Sequence, residues 1–151
     1  MTIPDESALA AMRGAGPCEW CGRWCDLREA AHVFARGRGD ANRLDISLNL
    51  VALGRGAWFD GWERCGCHRS HHAGHEPTKL DLLTVACARE NVLQRDALAV
   101  IYLLLRLPRD ARPWQVDEAM NQSVVEGEGG NVVGMNDGQR ALVTRYLGGR
   151  A

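Results

Sequence analysis

Eleven residues, CGCHRSHHAGH at 65–75, hold two of the chain's six cysteines and four of its five histidines. One structural metal takes four ligands, so this run is richer in thiol and imidazole than a single ion needs. Upstream, Cys18 and Cys21 form a C-x-x-C followed at once by Gly22. That is zinc-knuckle spacing: two thiolates reach one metal, and the glycine lets backbone amides face the sulfurs. Cys65 and Cys67, at a tighter C-x-C spacing, would complete a four-sulfur tetrahedral site, with Cys25 as a spare able to replace one of them. A thioredoxin-like use of C-x-x-C would need a βαβ context, which is absent. Cys87 falls on the apolar face of an expected helix and reads as core.

The histidines offer a second kind of chemistry. His68 and His72 are four residues apart, so on a helix opened by Cys67 both rings share a face one turn apart. Two imidazoles there can meet one divalent ion. His71 and His75 make a second pair rotated by about 100°; both pairs cannot face the same metal, and one is left to solvent or to a phosphate. His32, alone among apolar neighbours in AAHVF, reads by itself as a core residue.

The elements that must position these groups come in two styles. Residues 1–16 read as a short helix or arm ending at RGAGP, and residues 17–76 as a Gly-, Cys-, His- and Trp-rich block with short strands at 28–35 and 46–53. The Arg/Gly-rich RGRGDANR between those strands reads as a loop. At HEPTKLDLL the character changes, with Thr78 as N-cap of an amphipathic helix to about Asn91 that buries Leu80, Leu83, Val85, Cys87 and Ala88. A very apolar helix follows at 93–107, suited to a core or a dimer contact, then a third at 114–123. A Gly-rich loop covers 126–138, and a last helix capped by Asn136 or Asp137 runs through Tyr146. Residues 77–151 thus form a helical extension.

With 151 residues, 46% hydrophobic and 25% charged, the chain suits a soluble globular protein of about one domain. No apolar run reaches the roughly 20 residues of a spanning helix, and the start lacks a secretory signal pattern. Clustered cysteines without such a signal favour metal ligation in a reducing cytoplasm. Net charge is −1, although residues 13–79 carry ten Lys/Arg against eight Asp/Glu. Charge therefore neither supports nor excludes a nucleic-acid partner.

Four pieces in order resemble the HNH endonuclease family, the ββα-metal nucleases: the knuckle CEWCG, a strand with a first histidine in EAAHVFARGRG, a strand with an asparagine in LDISLNLVAL, and CHRSHH for the family's CHxxxH helix. The resemblance covers about 60 residues. It implies an α+β fold, with a small treble-clef-like ββα-metal core stabilised by zinc through Cys18, Cys21, Cys65 and Cys67. It further implies hydrolysis of DNA phosphodiester bonds. His32 would be the general base, and Asn49 would hold the loop that aims it. His68 and His72 would ligate a catalytic Mg²⁺, Mn²⁺ or other divalent ion that stabilises charge in the transition state. Arg36, Arg38 or Arg43 would hold the phosphate. The Arg/Gly-rich segment and NLVxL look like those of phage-encoded members. By analogy alone, this suggests a bacterial or phage-infected cytoplasm and a terminase partner.

Two departures stand out. Many members carry Asp or His directly before the general base, whereas Ala31 cannot ligate; the ion would then take more water, or a carboxylate such as Glu29 would reach it. Gly54 stands where the family's third zinc cysteine is usual, and the insertion RGAWFDGWER separates it from Cys65, which is expected to supply the missing sulfur. Trp58, Phe59 and Trp62 in that insertion either pack on the extension or stack on a base. The competing expectation is a non-catalytic zinc-binding module that binds nucleic acid or protein.

Overall fold

A computed structural model describes residues 6–35, 44–56, 65–107, 111–122, 125–126 and 132–147. The chain is mixed α and β: α1 (Glu6–Met12), β1 (Gly14–Pro17), β2 (Trp24–His32), a 3-10 turn (Ser47–Asn49), β3 (Leu50–Gly54), α2 (Cys67–His72), α3 (Lys79–Glu90), α4 (Gln94–Arg106), α5 (Pro113–Gln122), a minimal hairpin of β4 (Val125–Glu126) and β5 (Val132–Val133), and α6 (Asp137–Leu147). None of the described helices is long and apolar enough to cross a membrane.

The first three strands form one antiparallel sheet in the order β1-β2-β3. Ala31 lies opposite Val51 and His32 opposite Leu50. Because successive side chains alternate between faces, the hairpin has two different sides. Ala30, Leu50 and Ala52 pack against Ala8, Leu9 and Met12 of α1. Ala31, Val51 and Leu53 join the large core, which continues through Leu82, Ile101 and Val143. Both the cysteine-rich block and the helices that follow it thus contribute to one apolar interior.

The expected strands shift in position. The first begins at Trp24 rather than 28, because Cys25 and Trp24 pair with Gly16 and Pro17 of β1. That third strand was not expected, since glycine and proline are poor strand formers. It is held by Arg28, whose guanidinium lies over Gly16 and donates to the carbonyls of Gly14 and Pro17, each at 3.3 Å. The second strand starts at Leu50, not 46, because the chain first makes the 3-10 turn that carries Asn49.

The helices follow their caps closely. Thr78 and Asp81 form a reciprocal capping box on α3, and Asn91 ends that helix with φ 55° in the left-handed region. Asn136 caps α6, accepting from the Gln139 amide at 2.8 Å. The buried stripe of α3 is Leu82, Leu83, Ala86 and Cys87. Leu80, expected inside, is 63% exposed. α4 buries Ala97, Val100, Ile101, Leu103 and Leu104 within the core.

Candidate functional site

Four sulfurs come together at one end of the sheet. Those of Cys18, Cys21, Cys65 and Cys67 all lie within 4.8 Å of one another, and Cys21 and Cys65 approach to 3.3 Å. Cys18 and Cys21 sit on the turn between β1 and β2, closed by Gly22 N–H to the Cys18 carbonyl at 2.9 Å. Cys65 and Cys67 arrive at the start of α2. The Cys25 sulfur stays outside the group and faces the Arg23 carbonyl at 3.4 Å.

Gly54 explains how Cys65 fits. A Cβ at Gly54 would stand 2.6 Å from the sulfurs of both Cys65 and Cys25, and 2.8 Å from the Cys65 carbonyl oxygen. The position is empty of side chain because a sulfur from eleven residues onward fills that space. The ends of the intervening insertion also meet: a Cβ at Gly56 (φ 74°) would lie 2.8 Å from the Gly66 Cα. Trp58, Phe59 and Trp62 lie outside the described residues.

The electrostatics of the cluster favour a cation. Burial pushes the Cys18 thiol up, but backbone amides of Cys21, Gly54 and Trp20 outweigh it and bring the thiol down to about 7. Cys67 is pushed well up, by burial first and then by its sulfur neighbours. Four thiolates this close repel one another, and a divalent cation is what allows all of them to ionise. Soft sulfur donors in a compact group of four are the donor set of structural zinc. These residues therefore fit a zinc ion.

On α2, the His68 and His72 rings stand 4.5 Å apart between centroids. Their Nε2 atoms face each other at 3.0 Å. Two nitrogens bound to one ion at about 2.0–2.1 Å would lie at a similar separation. His68 Nδ1 donates to a Glu29 carboxylate oxygen at 2.8 Å, which leaves Nε2, facing His72, as the lone-pair nitrogen of that ring. Burial, then His72, lowers the His68 pKa below its ordinary value. Glu29 thus reaches the imidazole and, at 3.1 Å, Arg55. Ala31, two residues on along the same face, is 2% exposed and packs in the core. Among the described residues, no group of three metal-binding atoms within 4.8 Å includes His68 or His72.

The second histidine pair does not form, because α2 ends at His72. His71 instead donates from Nδ1 to the Pro77 carbonyl at 2.7 Å, and His75 is exposed beyond the helix end.

His32 ends β2 with its side chain 20% exposed. Its Nε2 lies 2.6 Å from Asp45 Oδ1, and Asp45 is 1% exposed. Nothing in the sequence reading singled out Asp45; its only signal is a place four residues before Asn49. Asn49 is fully buried and clamps the two flanks: its amide accepts from Phe34 N at 2.9 Å and donates to the carbonyls of Phe34 and Leu44 at 3.1 and 3.0 Å. Arg36, Arg38 and Arg43 lie outside the described residues.

No protein-family model matches the chain, and no curated protein or solved structure matches it either.

Proposed function

We propose that the chain is a metal-dependent endonuclease of the HNH type that hydrolyses DNA phosphodiester bonds. The observation that carries this reading is the convergence of the His68 and His72 Nε2 atoms at 3.0 Å on α2, directly after the β2-β3 hairpin that carries His32. In this reading the hairpin and α2 make a treble-clef-like ββα-metal core. Cys18, Cys21, Cys65 and Cys67 hold a structural zinc, and His68 and His72 hold a second divalent ion.

A structural zinc site alone would need only the cysteines. The paired imidazoles, with Glu29 fixing one of them, are extra equipment. His68 and His72 would hold the second ion, which would supply positive charge to the phosphate as negative charge grows in the transition state. His32, partly exposed, takes the proton of the attacking water on a ring nitrogen. Asn49 fixes the backbone on both sides of that ring, and Arg36, Arg38 or Arg43 holds the phosphate. DNA is then the partner and the cytoplasm of a bacterial or phage-infected cell the setting; a terminase partner rests on analogy.

A competing reading, a zinc-binding module without catalysis, is favoured by one observation: Ala31 is buried where a further ligand would stand. A plasmid-nicking assay with Mg²⁺, Mn²⁺ or Ni²⁺ decides between them. The expected result is metal-dependent cleavage by the wild type and loss of about 10²-fold or more in His32→Ala. No cleavage of single- or double-stranded DNA with any of the three ions favours the module. Cleavage by His32→Ala at the wild-type rate removes His32 as the base. Metal analysis should return about one tightly held zinc per chain and a weaker second divalent site.

A further inference from the structure

We infer that Asp45 is the positioning residue for His32: its carboxylate selects which ring nitrogen carries the proton and holds the other bare toward solvent. The inference rests on the nuclease reading for its consequence but not for its geometry. His32 Nε2 and Asp45 Oδ1 are 2.6 Å apart, the short range of a charge-assisted hydrogen bond. An ionised carboxylate only accepts, so the shared proton belongs to Nε2. That leaves Nδ1 as the lone-pair nitrogen of the neutral ring.

The burial of the two partners argues against a packing role. Asp45 is 1% exposed whereas His32 is 20% exposed. Burying a carboxylate is costly unless its partners offset the lost hydration. A ring that needed only a satisfied N–H could use a backbone carbonyl at far smaller cost. The neighbours of Asp45 in sequence are Leu44 and Ile46, both 1% exposed, so the carboxylate is held in an apolar segment with Oδ1 against the His32 ring.

The backbone fixes the pair from both ends. Asn49 bonds Phe34, two residues after His32, and Leu44, one residue before Asp45. Its backbone carbonyl also accepts from Val33 N at 2.9 Å. One buried amide therefore sets the separation of the strand end and the segment that faces it. The distance across the dyad is an outcome of that clamp, and Asn49 acts on the base through Asp45.

The test uses the zinc-loaded full chain with ¹⁵N-labelled histidine. Long-range ¹H–¹⁵N correlation spectra report the tautomer of each ring directly. The wild-type His32 ring, when neutral, is expected to carry its proton on Nε2 with Nδ1 bare. Asp45→Leu, close in size and apolar, and Asp45→Ala each remove the acceptor, so the ring should populate both tautomers. Under the nuclease reading, kcat should fall by about 10²- to 10⁴-fold with KM near the wild-type value, because the loss is of a correctly presented base. A wild-type ring protonated on Nδ1 overturns the inference without any variant. So does an unchanged Nε2–H tautomer in whichever variant retains its zinc and its circular-dichroism spectrum. If the wild type cuts no DNA, the tautomer still decides the role of Asp45, and only the nuclease reading has failed.

Discussion

Gly54 lies where no side chain has room, with the sulfurs of Cys25 and Cys65 pressed against the space a Cβ would take. A methyl there must displace a buried sulfur or the Cys65 backbone, and overpacking of this kind costs about 1–3 kcal/mol. Gly54→Ala should therefore lower both the melting temperature and the zinc content of the purified protein. Of the two sulfurs at that glycine, only one belongs to the group of four. Cys65→Ser should lose tightly held zinc, whereas Cys25→Ser should keep it, as measured by metal analysis after dialysis. Loss of zinc in Cys25→Ser would show that the ligand set differs from Cys18, Cys21, Cys65 and Cys67. The knuckle itself was legible in the sequence because its spacing is local. Whether Cys25 replaces Cys65 or Cys67 was open there, because it depends on which sulfurs the fold brings to Cys18 and Cys21 from far along the chain. Asp45 was missed for the same reason: it lies thirteen positions from His32 in sequence, and its one local mark, a place four residues before Asn49, does not point to that ring.

At the scale of elements, α3 illustrates how far short-range chemistry reaches. The Thr78 side chain accepts from Asp81 N at 3.3 Å, and the Asp81 carboxylate accepts from Thr78 N at 2.8 Å. Thr78→Ala should destabilise the protein by about 1 kcal/mol, read by chemical denaturation, with zinc stoichiometry unchanged. Helix ends were legible because capping residues lie within a turn of the groups they satisfy. Which stripe of α3 turns inward was not, since Leu80 and Leu82 are equally apolar and only the packing partners choose between them. β1 escaped notice because its residues become a strand only by pairing with β2 and accepting bonds from Arg28. The expected His71/His75 pair failed because α2 stops at His72 and the His71 ring is spent on the Pro77 carbonyl.

Across the whole molecule, one polar network ties the knuckle to the last helix. Glu19, between two cysteines of the site, accepts from Arg89 at 2.8 and 2.7 Å and from Ala52 N at 3.0 Å. Arg89 also donates to the carbonyls of Ser47 and Leu50 and pairs with Glu90 at 3.1 Å. Glu90 in turn accepts from Ser47 and, at 2.9 Å, from the Tyr146 hydroxyl of α6. These groups also occupy backbone groups of β3, so its edge is not left open for pairing. Burial alone would push the Glu90 carboxyl up, but the hydrogen bonds from Ser47 and Tyr146, with Arg89, hold it below its usual value of 4.5. A depressed carboxyl contributes stability that is present above the unfolded pKa and is lost as pH falls through the folded one. Glu90→Gln should cost about 1–3 kcal/mol at pH 7, and the gap in melting temperature between wild type and variant should shrink as pH drops below about 4.5. A gap independent of pH would mean that the Glu90 charge adds nothing to the network.

The contact between Gly56 and Gly66 makes the intervening stretch a side branch rather than a link in the main path of the chain. Its two roots already touch, so the branch carries no distance that the rest of the molecule must span. Closing a shorter loop costs little, because loop entropy changes only slowly with length. Residues 57–64 should therefore be exchangeable for a short Gly/Ser bridge with the four-sulfur group intact, as judged by zinc content and melting temperature. The same branch point is where a foreign peptide, an affinity tag or a fluorescent reporter can be grafted beside the site, between two glycines whose separation is already set.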